Sequence, residues 1–116
     1  SQMASGILPM IQASAVPRKE EIDIDPKYEE RLQELLGHCR AHLPAVDEGM
    51  IRRAFRLSYW AHRDDWRESG ERYVSHPLRV ATIVARDIGL DDTSVAAALL
   101  HDVVEDTELS LDLIRD

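Results

Sequence analysis

Apolar residues recur at helical spacing along most of the chain, and no stretch of useful length alternates with the period of a strand. Tyr28, Leu32, Leu35, Leu36, Cys39 and Leu43 form the first series. Asp25 suits its N-cap, Pro26 its first helical position, and Pro44 its end. Asp47 opens a second series through Met50, Ile51, Ala54, Phe55, Leu57, Ser58 and Ala61, predicted to run to about Arg63. The polar stretch from Asp64 to Ser75, around Ser69-Gly70, predicts a loop. Pro77 is expected to restart a helix through Val80, Ala81, Ile83, Val84 and Ile88, stopped by Gly89. Asp91 or Asp92 caps the next helix, in which Val95-Ala-Ala-Ala-Leu-Leu100 runs straight into His101-Asp-Val-Val-Glu-Asp106. Leu109-Ser-Leu-Asp-Leu-Ile114 opens a last helix that is cut off at Asp116. The pattern predicts an all-α fold over residues 26–116. Residues 1–25 lack a regular pattern and are expected to form a flexible or loosely docked N-terminal arm.

Composition narrows this picture. At 116 residues the chain holds one small domain with a single core. Apolar residues make up 44% and aromatics only 5%, so Leu, Ile, Val and Ala must build that core. A single cysteine excludes an internal disulfide framework and fits a reducing, cytoplasmic setting, with Cys39 read as core packing. No apolar run approaches the ~20 residues of a membrane span. The first fifteen residues lack the basic start of a signal peptide. A net charge of −8 argues against nucleic-acid binding. Its distribution is uneven. Residues 51–86 carry eight arginines against four acids, and residues 87–116 one basic group against nine acids. An arginine-rich middle beside an acidic end suits a site that holds both an anionic ligand and a metal, although solvated helix faces account for most of these charges.

The candidate chemistry lies where the apolar helix ends. His101 and Asp102 offer an imidazole nitrogen and a carboxylate, ligands suited to a divalent cation. Glu105 and Asp106 follow them at i, i+4 and return to the same face. Such groups cannot be buried unpaired without a cost of several kcal/mol each. His76 precedes Pro77 at the start of the preceding helix. If the two helices pack antiparallel, His76 comes beside His101 and Asp102, giving three ligands with positions left for water and substrate.

The stretch Ala61-His62, Arg67-Glu-Ser69-Gly70-Glu71-Arg-Tyr73-Val-Ser-His76-Pro77, then Ala98-Leu-Leu-His101-Asp102-Val-Val-Glu105-Asp106-Thr107, resembles the N-terminal HD domain of RelA/SpoT homologues. The resemblance covers about residues 30–116. It implies an HD-type helical bundle from a family that hydrolyses, and in longer members also makes, guanosine tetra- and pentaphosphate. By the same resemblance, His76, His101 and Asp102 are ligands of one Mn2+. Glu105 and Asp106 match the acidic pair that positions and activates the attacking water. Arg67 and Ser69 match positions lining the nucleotide pocket, Arg67 near the guanine. The implied reaction removes the 3′-pyrophosphate, giving GDP or GTP plus pyrophosphate.

The chain departs from that pattern in three places. Asp64-Asp65 stand where the family usually has Gly-Gln, adding negative charge near an anionic substrate. Arg72 replaces the usual proline and restores positive charge. The family's fourth metal ligand, an aspartate on a later helix, lies beyond Asp116. The bundle is therefore expected to be incomplete at its C-terminal end, with weak metal binding, little turnover and self-association through Leu109–Ile114. His62 is expected to be a satisfied packing histidine, His38 and His42 surface residues, and Trp60 and Trp66 packing anchors. An HD phosphohydrolase acting on another nucleotide, or a noncatalytic regulatory HD module, are the alternatives.

Overall fold

A computed structural model describes residues 22–106, with side chains described through Val103. Among the described residues the chain forms four helices: α1 (Pro26–His42), α2 (Glu48–Ala61), α3 (Ser75–Ile83) and α4 (Asp92–Asp106). No strand is present there, only an isolated antiparallel bridge between Trp66 and Arg72. The all-α expectation holds. The predicted helix over 109–114 and most of the arm lie outside the described residues. The arm's last residues are docked: Ile22 and Ile24 pack on the core, and the Asp25 N–H donates to the Tyr59 hydroxyl at 3.2 Å.

The helix starts are written locally. The Asp25 carboxylate accepts from the Lys27 N–H, with Pro26 as first helical residue. Asp47 accepts from Met50 and Asp91 from Ser94, each satisfying a first-turn donor that has no partner within its own helix. Asp92 makes a different bond: its carboxylate accepts the Asp47 N–H at 2.8 Å, joining the start of α4 to the start of α2.

Two helix boundaries differ from the expectation. Helix α2 stops at Ala61, and residues 62–64 form a turn in which the Asp65 N–H reaches back to the His62 carbonyl. Helix α3 begins at Ser75, two residues before Pro77. It needs no side-chain cap, because the carbonyls of Arg72 and Tyr73 accept from Ser75 and His76, and Pro77 has no N–H to satisfy. His76 therefore lies inside the first turn of α3.

The far end of that helix widens into a π turn, Val84–Ile88, closed by Gly89 in the left-handed region at φ 75° with its N–H on the Val84 carbonyl. The buried face of this segment is Pro77, Leu78, Ala81 and Ala85, while Ile83 and Ile88 are exposed. Helical period was right; the rotation of the face was not.

Helix α4 is the central element and packs against both α2 and α3. Val95, Ala96, Leu99, Leu100 and Val103 repeat at i, i+4 and are fully buried. They meet Ile51, Ala54, Phe55, Leu78, Leu32, Leu35 and Leu36 in one cluster. Cys39 belongs to that core, where burial and then the carboxylates of Asp92 and Glu48 push its thiol up, the behaviour of an inert packing residue.

Candidate metal centre

The apolar face of α4 carries the polar end of the helix with it. Because Leu99, Leu100 and Val103 point into the core, Asp102 is drawn beneath the surface, 8% exposed, at the junction with α3. The first turn of α3 brings His76 to the same place. Donor atoms of His76, His101 and Asp102 all lie within 4.8 Å of one another. The two imidazole centroids are 5.6 Å apart, His101 Nε2 is 3.1 Å from Asp102 Oδ1, and His76 Nε2 is 3.8 Å from Asp102 Oδ2. The juxtaposition expected from antiparallel packing is present.

The tautomer of His101 follows from its neighbour. Its Nδ1 lies 2.6 Å from the Ala98 carbonyl, which can only accept, so Nδ1 carries the proton. The Nε2 faces the carboxylate oxygen Oδ1 of Asp102. A proton on Nε2 or a cation between the two atoms bridges this pair, and two imidazoles with one carboxylate form a donor set that a divalent first-row cation accepts. The residues present fit a metal.

The loop joining α2 to α3 is a tight hairpin. Gly70, at φ 88°, turns the chain and donates to the Arg67 carbonyl, while the Arg67 N–H donates to Glu71 at 2.8 Å. The Arg72 N–H donates to the buried Tyr28 hydroxyl at 2.7 Å, a bond that a proline at this position would forfeit. The Arg72 guanidinium lies against the rings of Tyr59 and Trp66, so its charge is used within the hairpin. Trp66, Arg67, Glu68, Ser69 and Tyr73 line a cavity of about 380 Å³. Trp66 is 58% exposed and is no packing anchor: the bridge to Arg72 turns its ring outward along the hairpin. Trp60 is half-buried beneath the Arg63 guanidinium.

His62 is buried, with Nδ1 3.0 Å from Asp65 Oδ2 and Nε2 without a hydrogen-bond partner among the described residues. It is thus half satisfied, and Asp65 is committed to it. The Tyr73 ring packs on the His62 ring at 4.5 Å, and the Tyr73 hydroxyl donates to Asp102 Oδ2 at 2.9 Å. Sequence reasoning missed Tyr73 as a partner of Asp102, although it sits in the quoted motif. His42 is exposed and His38 half-buried, and neither joins a metal-ligand cluster among the described residues. Glu105 and Asp106 lie in α4 one turn beyond His101 and Asp102, and their side chains fall outside those described.

Comparison with known proteins places the chain in a family. An HD domain family model matches residues 54–116, and the chain belongs to that family. Among curated proteins it is 42% identical over 93 residues to a GTP pyrophosphokinase of Streptomyces coelicolor, covering 77% of this chain and 11% of that protein. It is 42% identical over 76 residues to the bifunctional (p)ppGpp synthase/hydrolase RelA of Mycobacterium tuberculosis, covering 66% and 10%. It is 48% identical over 66 residues to a probable guanosine-3′,5′-bis(diphosphate) 3′-pyrophosphohydrolase of Synechocystis, covering 57% and 9%. The resemblance to RelA/SpoT homologues therefore holds, and the chain spans about a tenth of the length of these relatives. No solved structure matches the chain significantly. No helix among the described residues is long and apolar enough to cross a membrane.

Proposed function

We propose that this chain is the part of a metal-dependent 3′-pyrophosphohydrolase that carries three metal ligands and one wall of the nucleotide pocket, acting on guanosine tetra- or pentaphosphate. The carrying observation is the convergence of His76, His101 and Asp102, with Tyr73 belonging both to their surroundings and to the Arg67–Ser69 cavity. The relatives named for synthesis or hydrolysis of (p)ppGpp supply the substrate class.

In this reading His76, His101 and Asp102 hold one divalent cation, for which Mn2+ is our choice. When bound, the cation supplies Lewis acidity and a more acidic water. The chain's own groups do the rest. The Ala98 carbonyl keeps the His101 proton on Nδ1, so Nε2 stays free to ligate. Glu105 and Asp106, one turn further along α4, orient the attacking water and take its proton. Arg67 stacks on the purine or neutralises phosphate with its planar, permanently charged group, and the Ser69 hydroxyl hydrogen-bonds the nucleotide.

The test is pyrophosphate release from guanosine tetraphosphate with Mn2+ present, on this chain and on the full-length product of its gene. Release by the full-length protein that is lost in His101→Ala supports the reading. No release by the full-length protein overturns it.

A further inference from the structure

Asp102 is the least exposed of the three proposed ligands, and its carboxylate is gripped from outside the cluster. The Tyr73 hydroxyl donates to Oδ2 at 2.9 Å, while Oδ1 faces His101 Nε2 at 3.1 Å. A carboxylate turns freely about its last torsion unless one oxygen is held. With Oδ2 on the tyrosine, the plane of the carboxylate is fixed and Oδ1 remains turned into the cluster.

The tyrosine is itself clamped. Its ring contacts two histidines, 4.5 Å from the His62 ring centroid and 6.0 Å from that of His76. His62 is 4% exposed, and its imidazole is set by Asp65 at 3.0 Å. The backbone closes the same arrangement, since the Tyr73 N–H donates to the Asp65 carbonyl at 3.1 Å. Asp65 thus ties both ends of the unit: its side chain fixes His62, and its carbonyl fixes the residue whose ring rests on His62.

We propose that Tyr73 is a positioning residue for the metal ligand Asp102, held in register by the His62–Asp65 pair. The proposal rests on the metal-centre reading above and deepens it. Groups that hydrogen-bond a metal ligand from outside its coordination sphere set the ligand's orientation, and their loss typically weakens metal binding by roughly 10- to 100-fold. Tyr73 does this while lining the Arg67–Ser69 cavity, so it also ties the seating of the metal to the wall of the substrate pocket.

The experiment is a Mn2+ titration of the whole chain followed by electron paramagnetic resonance, for wild type, His101→Ala, Tyr73→Phe and Asp65→Ala. The wild type is expected to bind, and His101→Ala to lose binding. Tyr73→Phe is expected to bind ~10-fold or more weakly and to give a broadened Mn2+ spectrum, with the metal-free melting midpoint close to wild type. A merely structural role would lower that midpoint and leave the affinity unchanged. Asp65→Ala takes the partner from the buried His62 Nδ1, so its metal-free melting midpoint is measured beside its affinity; a loss of ~3-fold in affinity is expected there. Tyr73→Phe binding within twofold of wild type, while His101→Ala is defective, overturns the proposal and leaves the metal centre standing. Unchanged affinity in Asp65→Ala removes the clamp from it. Equal binding by wild type and His101→Ala overturns the metal-centre reading itself.

Discussion

The imidazole of His101 donates from Nδ1 to the carbonyl oxygen of Ala98, three residues back on the same helix, at 2.6 Å. The contact costs α4 little, because a carbonyl has two lone pairs and can accept a side chain besides its backbone partner. It gives Nε2 a fixed direction. His101→Ala is therefore expected to abolish measurable Mn2+ binding, weakening it by ~100-fold or more, while circular dichroism still shows a folded helical domain. A calorimetric titration beside a thermal melt separates the two outcomes. Loss of the fold together with the metal would show that His101 is structural.

Arg67 is half-buried in the wall of the hairpin cavity beside the outward-facing Trp66. Arg67→Ala is expected to weaken binding of guanosine tetraphosphate by about tenfold, equivalent to roughly 1.4 kcal/mol. Arg67→Lys should recover little of it, since an ammonium is a point charge without a planar face. Calorimetry with the nucleotide and with an adenosine counterpart checks the claim. Purine selectivity that survives in Arg67→Ala would place the base elsewhere.

Asp91 links the stability of α4 to pH. The Ser94 side chain, followed by the Ser94 N–H at 2.9 Å, holds the Asp91 carboxyl below its ordinary value. A carboxyl depressed on folding stabilises the fold above its unfolded pKa of about 3.9, and that contribution disappears as the pH falls through the lower, folded value. Asp91→Ala is expected to cost about 1 kcal/mol near neutrality. The gap between variant and wild type should close in acid below about pH 4. Urea melts over that pH range provide the measurement.

Gly89 separates conformational strain from packing. A Cβ there would meet nothing within 4 Å, yet the backbone sits at φ 75°. Gly89→Ala should therefore destabilise purely through the left-handed conformation, by about 1 kcal/mol. For a domain of this size that lowers the melting midpoint by roughly 4–8 °C. A neutral substitution would mean that the π turn rearranges instead.

What could be read from the sequence was what is decided locally. Asp25, Asp47 and Asp91 announce helix starts because a cap needs only its own first turn. Gly89 announces an end for the same reason. The pairing of His76 with His101 and Asp102 was reachable because one antiparallel packing step places it. The outward turn of Ile83, Ile88 and Trp66 was not reachable, since burial depends on which neighbour covers a helix or hairpin. Nor was the Asp65–His62–Tyr73–Asp102 connection. It exists only once the hairpin closes through the Asp65 carbonyl, and no spacing rule encodes that closure.

The most direct test of the metal centre is a crystal of this chain soaked in Mn2+, with data collected to reveal anomalous scattering. The account predicts one peak between His76 Nε2, His101 Nε2 and Asp102, with ligand distances of about 2.0–2.3 Å. It also predicts the Tyr73 hydroxyl still on the other Asp102 oxygen. A soaked crystal with no peak there, or with its strongest peak among other residues, would contradict it.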